Sequence, residues 1–222
     1  MMNHHSRIPQ GFSIEKARYA QRRIAELILE EDLIQNEVQH AAGVDVSFKG
    51  NYAFGVAVVV EKSTFSVIDV SIVKTEVKFP YVPTLLAFRE AFPAYKALKG
   101  LKEEYDVLFV DGNGRLHPLK AGFACHLGLI IDKPTIGVAK SLLIGRVGAW
   151  SNDTAPVVYQ GETLGVALKA SFSSKPIYIS VGHKITLRKA VKITREFTRS
   201  GFREPEPLRQ AHRYSVKARK RD

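Results

Sequence analysis

The chain has 222 residues, of which 45% are hydrophobic and 25% are charged. These proportions exclude the disordered and collagen-like classes, and the length suits one globular domain that buries its own core. No apolar run approaches the roughly 18–20 residues that cross a bilayer, and residues 1–5 lack the charged-then-apolar layout of a secretory signal. The one cysteine, Cys125, cannot form an internal disulfide or a thiolate metal site. We therefore expect a protein of the cytoplasm or another reducing compartment, with no membrane partner.

The charge of the chain is large and unevenly placed. Lysine and arginine total 33 against 22 acidic residues, a formal net charge of +11. Residues 184–222 hold 13 of the basic and 4 of the acidic residues, so nine of the eleven net charges lie in this last segment. An excess this one-sided suggests a polyanionic partner such as nucleic acid. The alternative is a basic end that only keeps the protein in solution.

The first half of the chain predicts a helix followed by a meander of strands. A helix is expected over 13–39, because Ser13 can cap it and apolar residues then recur at near-helical spacing. Three β-prone runs follow at 41–48, 52–60 and 65–74. The short gaps between these runs favour antiparallel pairing.

The second half predicts alternating helices and strands. The expected elements are a helix from Pro83 through Ala97, a strand at 106–110, a helix at 121–130, strands at 135–138, 162–168 and 177–181, and a last helix at 187–199 that stops before Gly201. This order predicts an α/β fold with a mixed sheet, three antiparallel strands and then parallel ones, flanked by helices. We expect a single domain over 1–222 that ends in a basic, disordered tail at 214–222.

Two aspartates are placed where strands carry chemistry. Asp45 stands inside the β-prone run 41–48, where aspartate is depleted and costly to bury. The alternative puts it on the solvent face of an edge strand. Asp111 leaves the end of the apolar run 107–110 and is followed at once by a Gly-Asn-Gly segment, a frequent place for chemistry in open sheets. The alternative is a plain Asp-Gly turn.

A third carboxylate lies on the helix between these strands. Glu90 shares a helical face with Leu86 and several alanines, so it is not on a clearly solvated side and needs a partner. Pro93 removes one hydrogen bond of the same helix and can kink it. The alternative is an exposed glutamate paired with Arg89 or Lys96.

Together the three carboxylates are more specific than any one of them. Placed on the first strand, the crossover helix and the end of the fourth strand, they could converge on one edge of the sheet. Such oxygen clusters bind Mg²⁺ or Mn²⁺, and beside a basic surface they are typical of metal-assisted phosphodiester hydrolysis. The strand order is that of the ribonuclease H-like fold.

The segments that surround these carboxylates resemble the endonuclease V family. The motifs that carry the resemblance are, in chain order, Phe79-Pro80-Tyr81-Val82-Pro83, Phe88-Arg89-Glu90, Val110-Asp111-Gly112-Asn113-Gly114 with His117-Pro118, Gly137-Val138-Ala139-Lys140-Ser141, Gly182-His183 and Ala211-His212. The resemblance extends from about residue 43 to residue 212, most of the chain.

This resemblance implies a deoxyinosine-directed DNA repair nuclease that uses Mg²⁺, with Mn²⁺ as a substitute. Such enzymes hydrolyse the second phosphodiester bond 3′ to the lesion and leave 3′-hydroxyl and 5′-phosphate ends. Asp45, Glu90 and Asp111 match the metal-binding carboxylates of the family, and His117 is expected beside them. Lys140 matches the family's lysine, which is suited to neutralise charge on the scissile phosphate.

The resemblance also implies a set of substrate-binding residues. Tyr81, stiffened by Pro80 and Pro83, is expected to act as a wedge in the gap left when a base is turned out of the stack. The remaining residues of this set are Gly112, Gly114 and Gly137, whose backbone groups are expected to read the flipped hypoxanthine, and His212. Two positions depart from the family's usual pattern: Asn113 stands where histidine is frequent, and Thr84 where glycine is common.

The last predicted helix is amphipathic and basic. Its exposed face is expected to carry Arg188, Lys192, Arg195 and Arg199, opposite an apolar face of Leu187, Ala190, Val191, Thr194 and Phe197. We expect this stripe to contact phosphates outside the active site and to make affinity salt-dependent. A solvated face is the alternative.

Three other functions stay open at this point. The nuclease could act on inosine-containing RNA, or it could be another enzyme of the same fold, such as a junction resolvase. A catalytically silent nucleic-acid-binding module is the third, and the intact carboxylates argue against it. We expect a monomer.

Overall fold

The structure, a computed structural model, describes residues 12–77, 79, 81–169 and 175–221. Two of the expectations above, the absence of a signal sequence at 1–5 and the part played by Pro80, lie outside the described residues.

Helices and strands alternate through most of the described chain. The helices are α1 (Ile14–Leu27), α2 (Leu86–Lys99), α3 (Phe123–Ile131), α4 (Leu187–Glu196) and α5 (Glu206–Arg221). The strands are β1 (His40–Lys49), β2 (Tyr52–Glu61), β3 (Val67–Glu76), β4 (Val107–Asp111), β5 (Thr135–Ala139), β6 (Arg146–Val147), β7 (Thr154–Tyr159), β8 (Glu162–Leu168) and β9 (Ile177–His183).

The strands form one mixed sheet in the order β3-β2-β1-β4-β5-β9-β8-β7-β6. The first three are antiparallel, while β1, β4 and β5 are parallel neighbours. The predicted α/β fold, with three antiparallel strands leading into parallel ones and helices on the faces, is confirmed. Beyond β5 the sheet differs from the expectation, because β9, β8, β7 and β6 pair antiparallel.

The central strands are buried on both faces, as their almost continuous apolar sequence requires. On one face α2 and α3 cover Val44, Leu108 and Val110. On the other face α4 and the start of α5 cover Phe109 and Ile136. Asp45 and Asp111 are therefore polar positions on strands that are otherwise core.

The N-terminal helix is shorter than predicted. It ends at Leu27, and Ile28 has extended backbone, with φ −70° and ψ 125°. Residues 28–39 run without helix or strand, and Ile28 and Val38 are buried in the core. The spacing of Ile28 from earlier apolar residues suggested that the helix continues, but this part of the chain is irregular.

The expected disordered tail is wrong: 206–221 is a helix, α5, that was not predicted. It packs on β1 and β2, with Leu208, Ala211 and Ser215 buried. Gly43 lets it approach, because a Cβ at that position would lie 2.2 Å from the carbonyl oxygen of Pro207.

Smaller differences concern the other helix and strand ends. The strand expected at 65–74 is Val67–Glu76, and α4 ends at Glu196 instead of 199. Strands β6 and β7 were not predicted. Among the described residues, no helix is both long and apolar enough to pass through a bilayer.

Candidate active site

Asp45 and Asp111 lie side by side at one edge of the sheet. Strands β1 and β4 are parallel, with Val44 opposite Val110, so the next residue of each strand is an aspartate and both face the side covered by α5. Neighbouring strands are about 4.8 Å apart. We call this edge, at the carboxyl ends of β4 and β5, the site edge. The alternative of an edge-strand Asp45 is wrong, since β1 is central in the sheet.

Glu90 reaches the same edge from α2 on the opposite face. Burial, and then the charges of Asp45 and Asp111, raise the pKa of Glu90 to about 8. A shift with these causes requires the three carboxylates to lie near one another. The alternative of an exposed glutamate is wrong, because Glu90 is half-buried. The Arg89 guanidinium lies instead 4.1 Å from the centre of the Phe48 ring.

Helix α5 holds Asp45 through two side chains. The Ser215 hydroxyl donates a hydrogen bond to Asp45 Oδ2, and His212 Nδ1 lies 3.2 Å from the same oxygen. Ser215 is fully buried, whereas the His212 side chain is 56% exposed. The sequence interpretation placed His212 with the substrate, but the structure places it against a predicted metal ligand. The interpretation missed Ser215 because that residue fell in the expected tail, although its three-residue spacing from His212 is a helical signal.

Lys140 links Asp111 to a fourth carboxylate. Its Nζ lies 2.9 Å from Asp111 Oδ2 and 3.1 Å from Glu204 Oε2. Burial opposes the charge of Lys140, but the two carboxylates outweigh it and raise its pKa. Burial also raises the pKa of Asp111, against the attraction of Lys140. Arg203 donates to the Lys140 carbonyl oxygen at 2.6 Å, and so fixes the segment that carries Glu204.

Glu204 was missed by the sequence interpretation. It lies between α4 and α5, in a segment without apolar periodicity, and is one of only four acidic residues in the basic end of the chain. No local pattern marks it, because its role depends on a contact with Lys140, 64 positions away in the sequence.

The donor set fits a hard divalent cation. Within the described ranges, no three Asp, Glu, His or Cys side chains form a ready-made metal site, since Asp111 is turned to Lys140 and Asp45 to Ser215. The available donors are nevertheless the carboxylate oxygens that Mg²⁺ and Mn²⁺ prefer. Their mutual repulsion, which adds to burial in raising the pKa of Glu90, is what a bound cation would relieve.

Tyr81 lies on an exposed loop just before α2. Its side chain is 63% exposed. Phe79, two residues earlier, is buried with its ring centre 4.4 Å from that of Phe12 and 6.2 Å from that of Phe88. The Tyr81 ring, which is expected to act as a wedge, is therefore exposed to solvent, while the loop that carries it is anchored in the core by Phe79. Pro83 is also exposed.

His117 does not contact the carboxylates. It is 4% exposed, and its Nε2 lies 3.1 Å from the Thr84 carbonyl oxygen while Nδ1 accepts from the Leu119 N–H at 3.3 Å. Burial lowers its pKa, which favours the neutral ring. Among the described residues, His117 is therefore not seen beside the predicted metal ligands. It holds the backbone of Thr84 and Leu119 instead.

The three predicted glycines pack backbone against backbone. A Cβ on Gly137 would lie 2.4 Å from Gly114 N, and one on Gly114 would lie 2.0 Å from Val181 O. Gly112 N–H donates to Val138 O, and Gly114 N–H donates to Ser180 Oγ. These N–H groups are used inside the protein, so reading of a base by them stays a prediction.

The two departures from the family pattern have different surroundings. Asn113 has a buried Oδ1 with no hydrogen-bond partner among the described residues. Thr84 has φ +68°, in the left-handed region that favours glycine. Cys125, as expected, is buried in packing, and burial raises its pKa to about 12.

Comparisons with known proteins identify the same family that the sequence motifs resemble. The family model described as Endonuclease V matches residues 22–213. Endonuclease V from Thermofilum pendens is 64% identical over 210 residues, which cover 95% of this chain and 90% of that protein.

Two solved structures share this fold. The crystal structure of endonuclease V from Streptomyces avermitilis has a TM-score of 0.86 at 33% identity, over 96% of this chain and 97% of that one. Endonuclease V from Ciona intestinalis, in complex with a 23mer DNA containing an inosine followed by a ribo-adenosine, has a TM-score of 0.86 at 29% identity, over 94% and 97%. The chain therefore belongs to the endonuclease V family, a family of metal-dependent nucleases.

Proposed function

We propose that this protein is a DNA repair endonuclease that recognises deoxyinosine and hydrolyses the second phosphodiester bond on its 3′ side, with Mg²⁺ or Mn²⁺. The observation that carries this proposal is the gathering of Asp45, Glu90 and Asp111 at the site edge, next to Lys140. The inosine-containing DNA bound by the Ciona intestinalis relative supports the choice of substrate.

The three carboxylates would hold the metal. When bound, a divalent cation supplies a Lewis acid and lowers the pKa of a coordinated water. Asp45 is kept in place by Ser215, and His212 adds a ring nitrogen beside it. Because that ring is half exposed, it can contact either the metal region or the phosphate.

Lys140 would neutralise the scissile phosphate. Its ammonium group is partly exposed at the site edge and is held between Asp111 and Glu204. A cation fixed in this way stabilises the negative charge that develops on phosphate oxygens during hydrolysis.

Tyr81 would fill the stack from which the base has been turned out. Its ring is exposed, and the loop that carries it is anchored by the buried Phe79, which suits an aromatic wedge. His117 supports this loop through Thr84, so we assign it to positioning and not to the chemistry.

The test uses a labelled duplex with one deoxyinosine, incubated with Mg²⁺ or with EDTA, beside the same duplex carrying adenine. We expect a nick one nucleotide beyond the lesion on its 3′ side, abolished by EDTA and absent from the adenine duplex. Asp45→Asn and Asp111→Asn should each reduce activity by more than about 100-fold while DNA binding is preserved. Full activity in either variant would contradict the metal site.

Other outcomes would select the alternatives. Metal-dependent cutting of both duplexes, or of four-way junctions, would indicate a general or junction nuclease. Cutting only of inosine-containing RNA would move the substrate to RNA. The cytoplasmic location and the monomeric state stay predictions, to be checked by cell fractionation and analytical ultracentrifugation.

A further inference from the structure

The turn that follows Tyr81 contains a residue in an unfavourable backbone conformation. Leu85 N–H donates to Val82 O at 3.0 Å, which closes a four-residue turn. Pro83 is its second residue and Thr84, with φ +68°, its third, the pattern of a type II turn. A β-branched residue is strained at this position, so something else in the fold must hold the turn.

Two buried side chains meet on the Thr84 carbonyl oxygen. Gln21 Nε2 donates to it at 2.7 Å, and His117 Nε2 lies 3.1 Å from it. Gln21 comes from α1 and is 1% exposed, while His117 comes from the loop after β4 and is 4% exposed. Because His117 Nδ1 accepts from Leu119 N–H, its own proton is on Nε2 and points to Thr84.

The position of this carbonyl depends on the turn. Rotation about the N–Cα bond of Thr84 would bring its φ from +68° back to the favoured negative region, and with the preceding peptide in place it would carry the Thr84 carbonyl oxygen away from its present position. Two donors at the Thr84 oxygen therefore favour the arrangement in which φ of Thr84 is positive over arrangements in which it is negative. Tyr81 directly precedes the turn, so the same arrangement sets where its ring stands.

We propose that Gln21 and His117 form a clamp on the Thr84 carbonyl, and that Gln21 is a positioning residue for the opening of the base stack by Tyr81. This inference rests on the proposed function. Gln21 is 63 residues from Thr84 in the sequence and does not belong to the carboxylate site, so the clamp links α1 to recognition of the lesion.

The test combines Gln21→Leu with Thr84→Gly, because glycine adopts the left-handed region without strain and needs no clamp. The probe is a duplex with 2-aminopurine next to deoxyinosine, whose fluorescence rises when the stack opens. We expect Gln21→Leu alone to reduce the inosine-dependent rise and kcat by about tenfold, with much less change in KM. In the Thr84→Gly background, adding Gln21→Leu should change both by less than about twofold.

A matched control separates the clamp from general damage to α1. Ile24→Ala loosens the packing of the same helix without touching Thr84, so any loss that it causes should not be rescued by Thr84→Gly. Retention of the parental fluorescence rise by Gln21→Leu, or a loss that Thr84→Gly does not rescue, would overturn the clamp alone. Absence of any inosine-dependent rise in the parent would overturn the proposed function, and the clamp's part in it.

Discussion

Ser215 decides how Asp45 is oriented, although it is not a candidate metal ligand. It is fully buried, and its hydroxyl donates to the Asp45 oxygen that also faces His212. Partners of this kind fix a ligand's rotamer, and removing them weakens metal affinity by about 10–100-fold.

Ser215→Ala is therefore expected to raise the Mg²⁺ concentration needed for half-maximal cleavage by about 10-fold or more, with near-parental activity restored at saturating Mg²⁺. A Mg²⁺ titration of cleavage measures it. Ser63→Ala, in an exposed turn, is the control and should match the parent. An activity loss that excess Mg²⁺ does not restore would argue against orientation of Asp45.

Glu90 makes stability fall as pH rises when no metal is bound. Its pKa is about 8 in the folded protein, mainly because of burial, against an ordinary value of 4.5. Between these values the folded protein binds the proton and the unfolded chain does not. The free energy of unfolding should then decrease as pH rises from about 4.5 to about 8.

Glu90→Gln should flatten this part of the stability curve, because the amide does not titrate. Urea unfolding in EDTA at a series of pH values measures the slope. Glu15→Gln, exposed on α1, should leave the parental slope intact. A parental slope unchanged in Glu90→Gln would contradict the buried, protonated glutamate.

At the scale of elements, α4 carries an exposed basic stripe. Arg188, Lys192 and Arg195 on α4 are exposed, as is Arg199 just after the helix. Ala190 and Thr194 of the opposite face are buried, as is Phe197 at the helix end, so the predicted amphipathic pattern is confirmed. The helix begins just after the His183 end of β9, far from the site edge, and the chain after it returns to Lys140 at Glu204.

Arg188→Gln combined with Lys192→Gln should lower the slope of log affinity against log salt by about two, one unit for each phosphate that is no longer neutralised. Binding of a deoxyinosine duplex over a range of salt concentrations measures the slope. Lys99→Gln with Lys102→Gln removes the same charge from exposed positions at the end of α2, on the other face of the sheet, and should not change it. An equal effect of both pairs would mean that the stripe is only a solvated face.

The elements show what the sequence could predict and what it could not. The central strands and the carboxylates on them follow from apolar runs interrupted by a charge, a pattern that depends on local sequence. Helix α5 could not be predicted from such a pattern, because seven of its sixteen residues are charged and its apolar residues are few. Its stability depends on packing against β1 and β2, which no local window contains.

The same limit applied to the site. Asp45, Glu90, Asp111 and Lys140 stand in recognisable motifs, and the structure brings them to one edge. Glu204 and Gln21 act through partners more than 60 positions away, so their roles exist only in the folded chain. His117 was predicted at the site because of its motif, whereas its hydrogen bonds show that both ring nitrogens contact backbone groups.

At the scale of the whole molecule, the site joins parts of the chain that are otherwise packed on opposite faces. Its carboxylates come from β1, α2 and β4, and α5 supports one of them. A ligand that binds several elements only when they are assembled stabilises the folded state as a whole.

Mg²⁺ or Mn²⁺ at about 100 times its Kd should therefore raise Tm by about 5–10 °C. Differential scanning calorimetry with EDTA and with metal measures the shift. Asp45→Asn should abolish most of it. An equal shift in that variant would place the stabilising ion elsewhere.

The hydrogen bond between Asp45 and Ser215 spans 170 positions, and this has a consequence during synthesis. A ribosome adding about 5–20 residues per second needs roughly 10–30 s to travel from one to the other. Throughout that interval the nascent chain carries Asp45 without the serine that orients it. A nascent chain that does not yet contain α5 should therefore bind Mg²⁺ more weakly than the folded protein, because Asp45 is not yet oriented.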